Sequence, residues 1–123
     1  MAQSQRDRML LACGAKAGSV EGYPFGDGVA VFKVAGKMFA LVSLDEPPGS
    51  VSLKCDPDMA VALRGRYAAI TAGYHLSKRH WNTIELDGSV PEDEVLDLID
   101  HSYELVVGGL TRAERARLSV RQQ

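Results

Sequence analysis

Residues 29–44 read VAVFKVAGKMFALVSL, and this stretch decides the fold class. It contains two runs rich in aliphatic and aromatic residues, 29–34 and 37–44, which favour extended strands. Ala35 and Gly36 alone separate the runs, and a two-residue link with glycine is typical of a tight antiparallel hairpin. In the second run both alternating sets are largely apolar, which predicts a strand central to a sheet.

Outward from this hairpin, the chain alternates between helical and extended patterns. The glycines and proline of residues 19–28 predict a loop before the hairpin. The other predicted elements are a helix capped by Ser4 and Asp7 and ending at Gly18, a strand over 51–55, a helix from Asp56-Pro57 to Gly65, strands over 67–72 and 81–87, a helix from about Ser89 to Gly108-Gly109, and a short helix capped by Thr111 and Glu114.

The predicted order is α-β-β-β-α-β-β-α followed by a short C-terminal helix. Hairpin links exclude a doubly wound parallel sheet, so we expect an α+β fold of two layers, an antiparallel sheet with helices on one face. The chain length of 123 residues fits one domain, which we place at residues 1–118, with a frayed tail at 119–123.

Composition limits the classes of function. The formal net charge is −2, so a nucleic-acid-binding surface would have to be a local basic patch on a mildly acidic body. Cys13 and Cys55 lie among apolar neighbours, which predicts buried, reduced thiols in a cytoplasmic protein. No apolar run approaches the length of a membrane span, so we expect no membrane partner.

Candidate functional side chains are most concentrated in residues 73–83, GYHLSKRHWNT. This stretch holds the single tryptophan, two of the three histidines and a Lys-Arg pair. Cations can hold phosphates, and an aromatic ring can stack on a base. Alternation along residues 81–87 places Trp81 on the face opposite Ile84, although Trp81 could equally be a structural anchor. The candidate nucleic-acid-binding residues are Lys54, His75, Lys78, Arg79, His80 and Trp81.

Other kinds of site lack their sequence signatures. His75 and His80 are five residues apart and no CxxC-type pair is present, so we expect no metal site. No nucleophile elbow or phosphate-binding glycine pattern occurs, so we expect no cofactor and assign no catalytic residue.

Several blocks together resemble the MmcQ/YjbR family of small bacterial proteins. They are YPFG at 23–26, VFKV at 31–34, GKMFA at 36–40, SLKCDP at 52–57, GYHL at 73–76, KRHWNT at 78–83, LDG at 86–88 and SYELV at 102–106. Ala72 and Ser77 depart from the family's usual proline and asparagine. The resemblance spans about residues 9–110 and implies an antiparallel α+β fold similar in topology to type III secretion chaperones. The family is described as a predicted DNA-binding protein with a double-wing motif.

Three hypotheses follow from the residues and the resemblance. The first is a small cytoplasmic, non-enzymatic module that binds DNA through the basic-aromatic residues, as a monomer or a weak homodimer. The second, by analogy with the chaperone-like fold, is a protein- or ligand-binding module, which an exposed apolar groove would favour. The third is an enzyme that uses His75 or His80 as acid or base, which would require both rings in one pocket with a carboxylate.

Overall fold

The structure, a computed structural model, describes residues 4–73 and 76–121, with side chains up to residue 118. Along these residues the elements are, in chain order, α1 (Gln5–Gly14), β1 (Ser19–Gly22), β2 (Val29–Val34), β3 (Lys37–Ser43), β4 (Ser50–Lys54), α2 (Pro57–Arg66), β5 (Ile70–Ala72), β6 (Trp81–Glu85), α3 (Glu92–Gly108) and α4 (Arg112–Arg121). Helix α4 continues to Arg121, three residues into the segment 119–123 that the sequence assigned to the tail.

The strands of the described residues form one antiparallel sheet in the order β1-β2-β3-β4-β6-β5. Strand β3 lies between β2 and β4, as its two apolar sets predicted. The chain leaves β4 through α2, forms β5 at the far edge and returns as β6 beside β4. This topology brings residues 76–80 to the end of the sheet where β4 leads into α2.

The helices cover one face of the sheet, because alternate strand residues on that face are apolar. Val42, Val51 and Ile84 are successive cross-strand partners, and each is at most 1% exposed. Helix α3 packs on β3 and β4 and contributes Val95 and Ile99 to the same core. The α+β fold with helices on one face of an antiparallel sheet is therefore confirmed.

Local signals for chain reversal and capping are also confirmed. Ala35 and Gly36 both have positive φ, 51° and 78°, as a two-residue hairpin turn requires. The Asp56 carboxylate accepts hydrogen bonds from the first backbone N–H groups of α2. At α4, Thr111 and Glu114 cap each other reciprocally at 2.9 and 3.1 Å.

Two predictions about residues 15–28 were wrong. Helix α1 ends at Gly14 rather than at Gly18, and residues 19–22 form the edge strand β1 rather than part of a loop. Glycine at position 18 has φ 74° and turns the chain from the helix into β1. The strand forms through hydrogen bonds to β2, so tertiary pairing rather than an apolar pattern stabilises it.

Within the described residues, no helix combines the length and the apolar character needed to cross a membrane.

Candidate nucleic-acid interface

A short turn at residues 77–80 carries most of the predicted cations. The Ser77 carbonyl oxygen accepts hydrogen bonds from the N–H groups of His80 and Trp81, at 3.2 and 2.9 Å. The His80 carbonyl oxygen in turn accepts from the N–H of Cys55 at 2.8 Å, which ties the turn to the end of β4. Lys78, Arg79 and His80 are exposed, so a backbone held at both ends presents three consecutive side chains to solvent.

The side chains of Arg64 and Asn82 hold the turn in place. Arg64, in the last turn of α2, donates to the Lys78 carbonyl oxygen at 3.2 Å and to the Asn82 amide oxygen at 2.7 Å. The Asn82 amide nitrogen donates to the Ala60 carbonyl oxygen at 3.2 Å, and Asn82 is 3% exposed. Because Asn82 thereby links β6 to α2, the turn is part of the folded body rather than an independent loop.

Sequence reasoning did not identify Arg64 as part of this site. The available signal was its position in the last turn of a predicted helix, where cations commonly interact with free carbonyl groups. Here the carbonyl belongs to a turn 14 residues away in sequence, so helix capping rules alone could not place it.

Lys54 lies beside the turn, as the sequence predicted for a single surface. It is the cross-strand partner of Trp81, on the sheet face away from the helices. Its N–H donates to the Ser102 hydroxyl at 2.9 Å, and that hydroxyl donates to the Phe39 carbonyl oxygen at 2.6 Å. Ser102 therefore fixes the backbone from which the Lys54 side chain extends.

Trp81 lies on the face opposite Ile84, as alternation predicted, but it is 9% exposed. Gly73 packs closely against it, since a Cβ at position 73 would lie 2.7 Å from the Trp81 Cβ. A ring so covered offers little surface for stacking on a base. The structure thus favours the structural anchor over the stacking platform for Trp81.

His75 lies outside the described residues, so its place in the candidate surface stays a prediction. His101, the third histidine, accepts a hydrogen bond from the N–H of Asp56 at 3.3 Å and supports the start of α2. Residues 4–73 and 76–121 contain no group of three His, Cys, Asp or Glu side chains that could hold a metal ion.

Both cysteines are buried free thiols, as predicted. Burial raises the pKa of Cys13 to about 12, and it also raises the pKa of Cys55, helped by the nearby Asp56 carboxylate. A raised pKa keeps a thiol protonated at neutral pH and lowers its reactivity. Neither cysteine is therefore suited to be a nucleophile in this fold.

The cations at this end of the sheet have no acidic partner among the described residues. The ion pairs among the described residues are Arg8–Glu92, Lys16–Asp100 and Arg66–Glu94, and they lie on other parts of the surface. The basic corner, which we define as Lys54, Lys78, Arg79 and His80, therefore combines exposed or half-exposed donors on a fixed backbone. Such a corner can hold anionic oxygens by charge and hydrogen bonding.

Comparison with known proteins gives relatives that match most of the chain. The chain is 34% identical over 110 residues to the uncharacterized protein YjbR of Escherichia coli (strain K12), covering 89% of this chain and 93% of YjbR. It is 35% identical over 96 residues to the uncharacterized protein YbdF of Escherichia coli O157:H7, covering 78% and 79%.

Solved structures agree with this assignment. The crystal structure of Deinococcus radiodurans protein DR2400, which carries the DUF419 domain, superposes with a TM-score of 0.87 at 38% identity, covering 96% of this chain and 92% of that one. A Pseudomonas syringae protein at 24% identity shares the fold, with a TM-score of 0.70 over 81% of this chain and 97% of its own. The family model for YjbR matches residues 14–105, and the chain belongs to the YjbR family.

Proposed function

We propose that this protein is a cytoplasmic, non-enzymatic module that binds nucleic acid through the basic corner. The observation that carries the proposal is the turn at residues 77–80. Hydrogen bonds hold its backbone, and the side chains of Lys78, Arg79 and His80 are exposed beside Lys54. Cations on a fixed backbone contact phosphates with a smaller loss of backbone conformational entropy than cations on a mobile loop. The resemblance to a family described as double-wing DNA-binding makes duplex DNA the first ligand to test.

The corner is small, which sets the expected character of binding. Lys54, Lys78 and Arg79 are its permanent charges, whereas Arg64 is already hydrogen-bonded to the turn. Three phosphate contacts correspond to a slope of about −2.7 in a plot of log K against log salt concentration. With a net charge of −2 on the whole chain, we expect weak binding that disappears as salt rises toward physiological values.

Fluorescence anisotropy with labelled duplex and single-stranded oligonucleotides tests the proposal. The double variant Lys78→Ala, Arg79→Ala should weaken binding at low salt and reduce the magnitude of the salt slope by about 2. The matched control is Arg115→Ala, Arg117→Ala, which removes two exposed cations of α4. Absence of binding by the wild-type protein at low salt, or an equal loss in the control, would refute the proposal.

The proposal assigns no reaction to the histidines. His80 is exposed at the turn, and no ion pair between it and a carboxylate occurs among the described residues. The competing hypothesis of a protein- or ligand-binding module has a separate observation in its favour, an apolar groove on the uncovered face of the sheet.

A further inference from the structure

The sheet face opposite the helices carries a groove of about 620 Å³. Its floor crosses three strands, because Leu41, Ser52 and Thr83 are successive cross-strand partners on β3, β4 and β6. Phe25, from the loop between β1 and β2, and Leu76, just before the basic corner, also line it. The volume lies within the roughly 300–1,000 Å³ typical of small-molecule sites.

The groove is largely apolar although it lies on the surface. Phe25 is 65% exposed, and Val29 and Leu41 contribute further aliphatic surface. In the floor, the hydroxyls of Ser52 and Thr83 hydrogen-bond to each other at 2.8 Å, which reduces their demand for water. An exposed aromatic ring beside aliphatic side chains marks a surface from which water is readily displaced.

One end of the groove is acidic. An adjoining depression of about 560 Å³ shares Asp45 with the groove and adds Glu46 and Glu85. No ion pair to these three carboxylates occurs within the described part of the chain. Arg6 reaches the same turn from α1 but donates to the Ser43 carbonyl oxygen at 3.5 Å.

The position of Asp45 depends on a glycine. A Cβ at Gly28 would lie 2.5 Å from one carboxylate oxygen of Asp45, so the absence of a side chain there makes room for the carboxylate at the groove. The sheet's cations lie at the other end of this face: Lys54 is four residues along β4 from Ser50, roughly 13 Å away. This face of the sheet therefore has a basic end and an acidic end, and the apolar groove extends to the acidic end.

We propose that this groove binds a small organic cation, an amine with an aromatic or aliphatic body. The body packs between Phe25 and Leu76 over the Leu41 floor, and the ammonium group lies against Asp45 and Glu85. An ammonium supplies the positive charge that these carboxylates lack among the described residues, and the groove is the size of a small molecule. The site is separate from the basic corner and does not depend on nucleic-acid binding.

Three dansyl probes with the same ring system and different charges test the proposal. They are monodansylcadaverine, which is cationic, N-butyl dansylamide, which is neutral, and dansyl-γ-aminobutyric acid, which is anionic. Titration of the purified protein, followed by dansyl fluorescence, should give the affinity order cationic, neutral, anionic. We expect the cationic probe to bind about fivefold more tightly than the neutral one, as two surface charge contacts would produce.

Matched variants locate the binding. The double variant Asp45→Asn, Glu85→Gln should lower the affinity of the cationic probe about fivefold and leave the neutral probe unchanged. The control Asp97→Asn, Glu104→Gln, which removes two exposed carboxylates of α3, should change it less than twofold.

A second pair of variants tests the apolar wall. Phe25→Ala should weaken all three probes, whereas Tyr23→Ala, which removes an exposed ring lining a neighbouring depression, should not. Equal affinity for the three probes, or no binding of any, would overturn the proposal. A protein dimer, detected by light scattering, whose formation displaces the probe would assign the groove to a second copy of the chain and would also overturn it.

Discussion

Replacement of Ser102 by alanine should destabilise the fold far more than the loss of one hydroxyl suggests. Ser102 is 0% exposed and lies on α3 between two strands. The β3–β4 ladder ends at Ala40 and Leu53, so Phe39 and Lys54 would be the next pair. Instead the hydroxyl accepts from the Lys54 N–H at 2.9 Å and donates to the Phe39 carbonyl oxygen at 2.6 Å.

The magnitude follows from the two backbone groups that the hydroxyl satisfies. Without it, a carbonyl oxygen and an N–H group remain under α3 with no partner, and each buried unsatisfied group costs ~1–3 kcal/mol. We therefore expect Ser102→Ala to lower the free energy of unfolding by about 3 kcal/mol. With a urea m-value of about 2 kcal/mol per M, the unfolding midpoint should fall by about 1.5 M.

Urea denaturation followed by the fluorescence of Trp81, the single tryptophan, measures this change. Ser52→Ala is the matched control on β4, because its hydroxyl bonds to the side chain of Thr83 rather than to backbone. We expect that control to cost about 1 kcal/mol. If Ser102→Ala costs no more than Ser52→Ala, the strands can close and pair directly, and the bridging role assigned to Ser102 is wrong.

Three further predictions concern other contacts. Asn82→Ala should lower the free energy of unfolding by about 2 kcal/mol in urea, because it removes two hydrogen bonds, one to the Ala60 carbonyl oxygen and one from the Arg64 guanidinium; a cost near zero would contradict that bracing role. The hydrogen bond from Arg8 lowers the pKa of Glu92 from its usual 4.5, so its stabilisation is present above that value and is lost as pH falls through the folded-state pKa. Glu92→Gln should therefore show a smaller fall in urea midpoint between pH 7 and pH 3 than the wild type, and an equal fall would contradict it. Cys13, whose pKa burial raises to about 12, should react with a thiol reagent at pH 8 roughly 100-fold more slowly in the folded protein than in urea, and equal rates would refute its burial.

Short-range patterns in the chain determined the fold class and the elements other than β1. The Ala35-Gly36 turn, the Asp56 cap and the Thr111–Glu114 pair all behave as their local chemistry predicts. These features depend on backbone dihedral preferences and on hydrogen bonds over three residues or fewer, which sequence spacing specifies directly. With hairpin links excluding a parallel sheet, they were enough for the antiparallel α+β architecture.

Contacts between distant segments decided what local patterns could not. Strand β1 exists because β2 offers an unpaired edge, although residues 19–22 have no strand-like apolar pattern. Trp81 is on the face that alternation predicts, yet its 9% exposure depends on Gly73 and on how the chain returns from β5. Alternation along a strand specifies the face on which a side chain lies. Its burial depends on which other segments pack on that face.

The same distinction applies to the two candidate sites. The chain order placed Lys78, Arg79 and His80 next to one another, whereas the pairing of β4 with β6 brings Lys54, the fourth residue of the basic corner, beside them. Its support by Arg64 and Ser102 comes from helices 14 and 48 residues away in sequence. The apolar groove joins residues from the β1–β2 and β3–β4 loops, from the four strands β2, β3, β4 and β6, and from the segment before the turn. No stretch of sequence contains it, because the strand order brings its walls together.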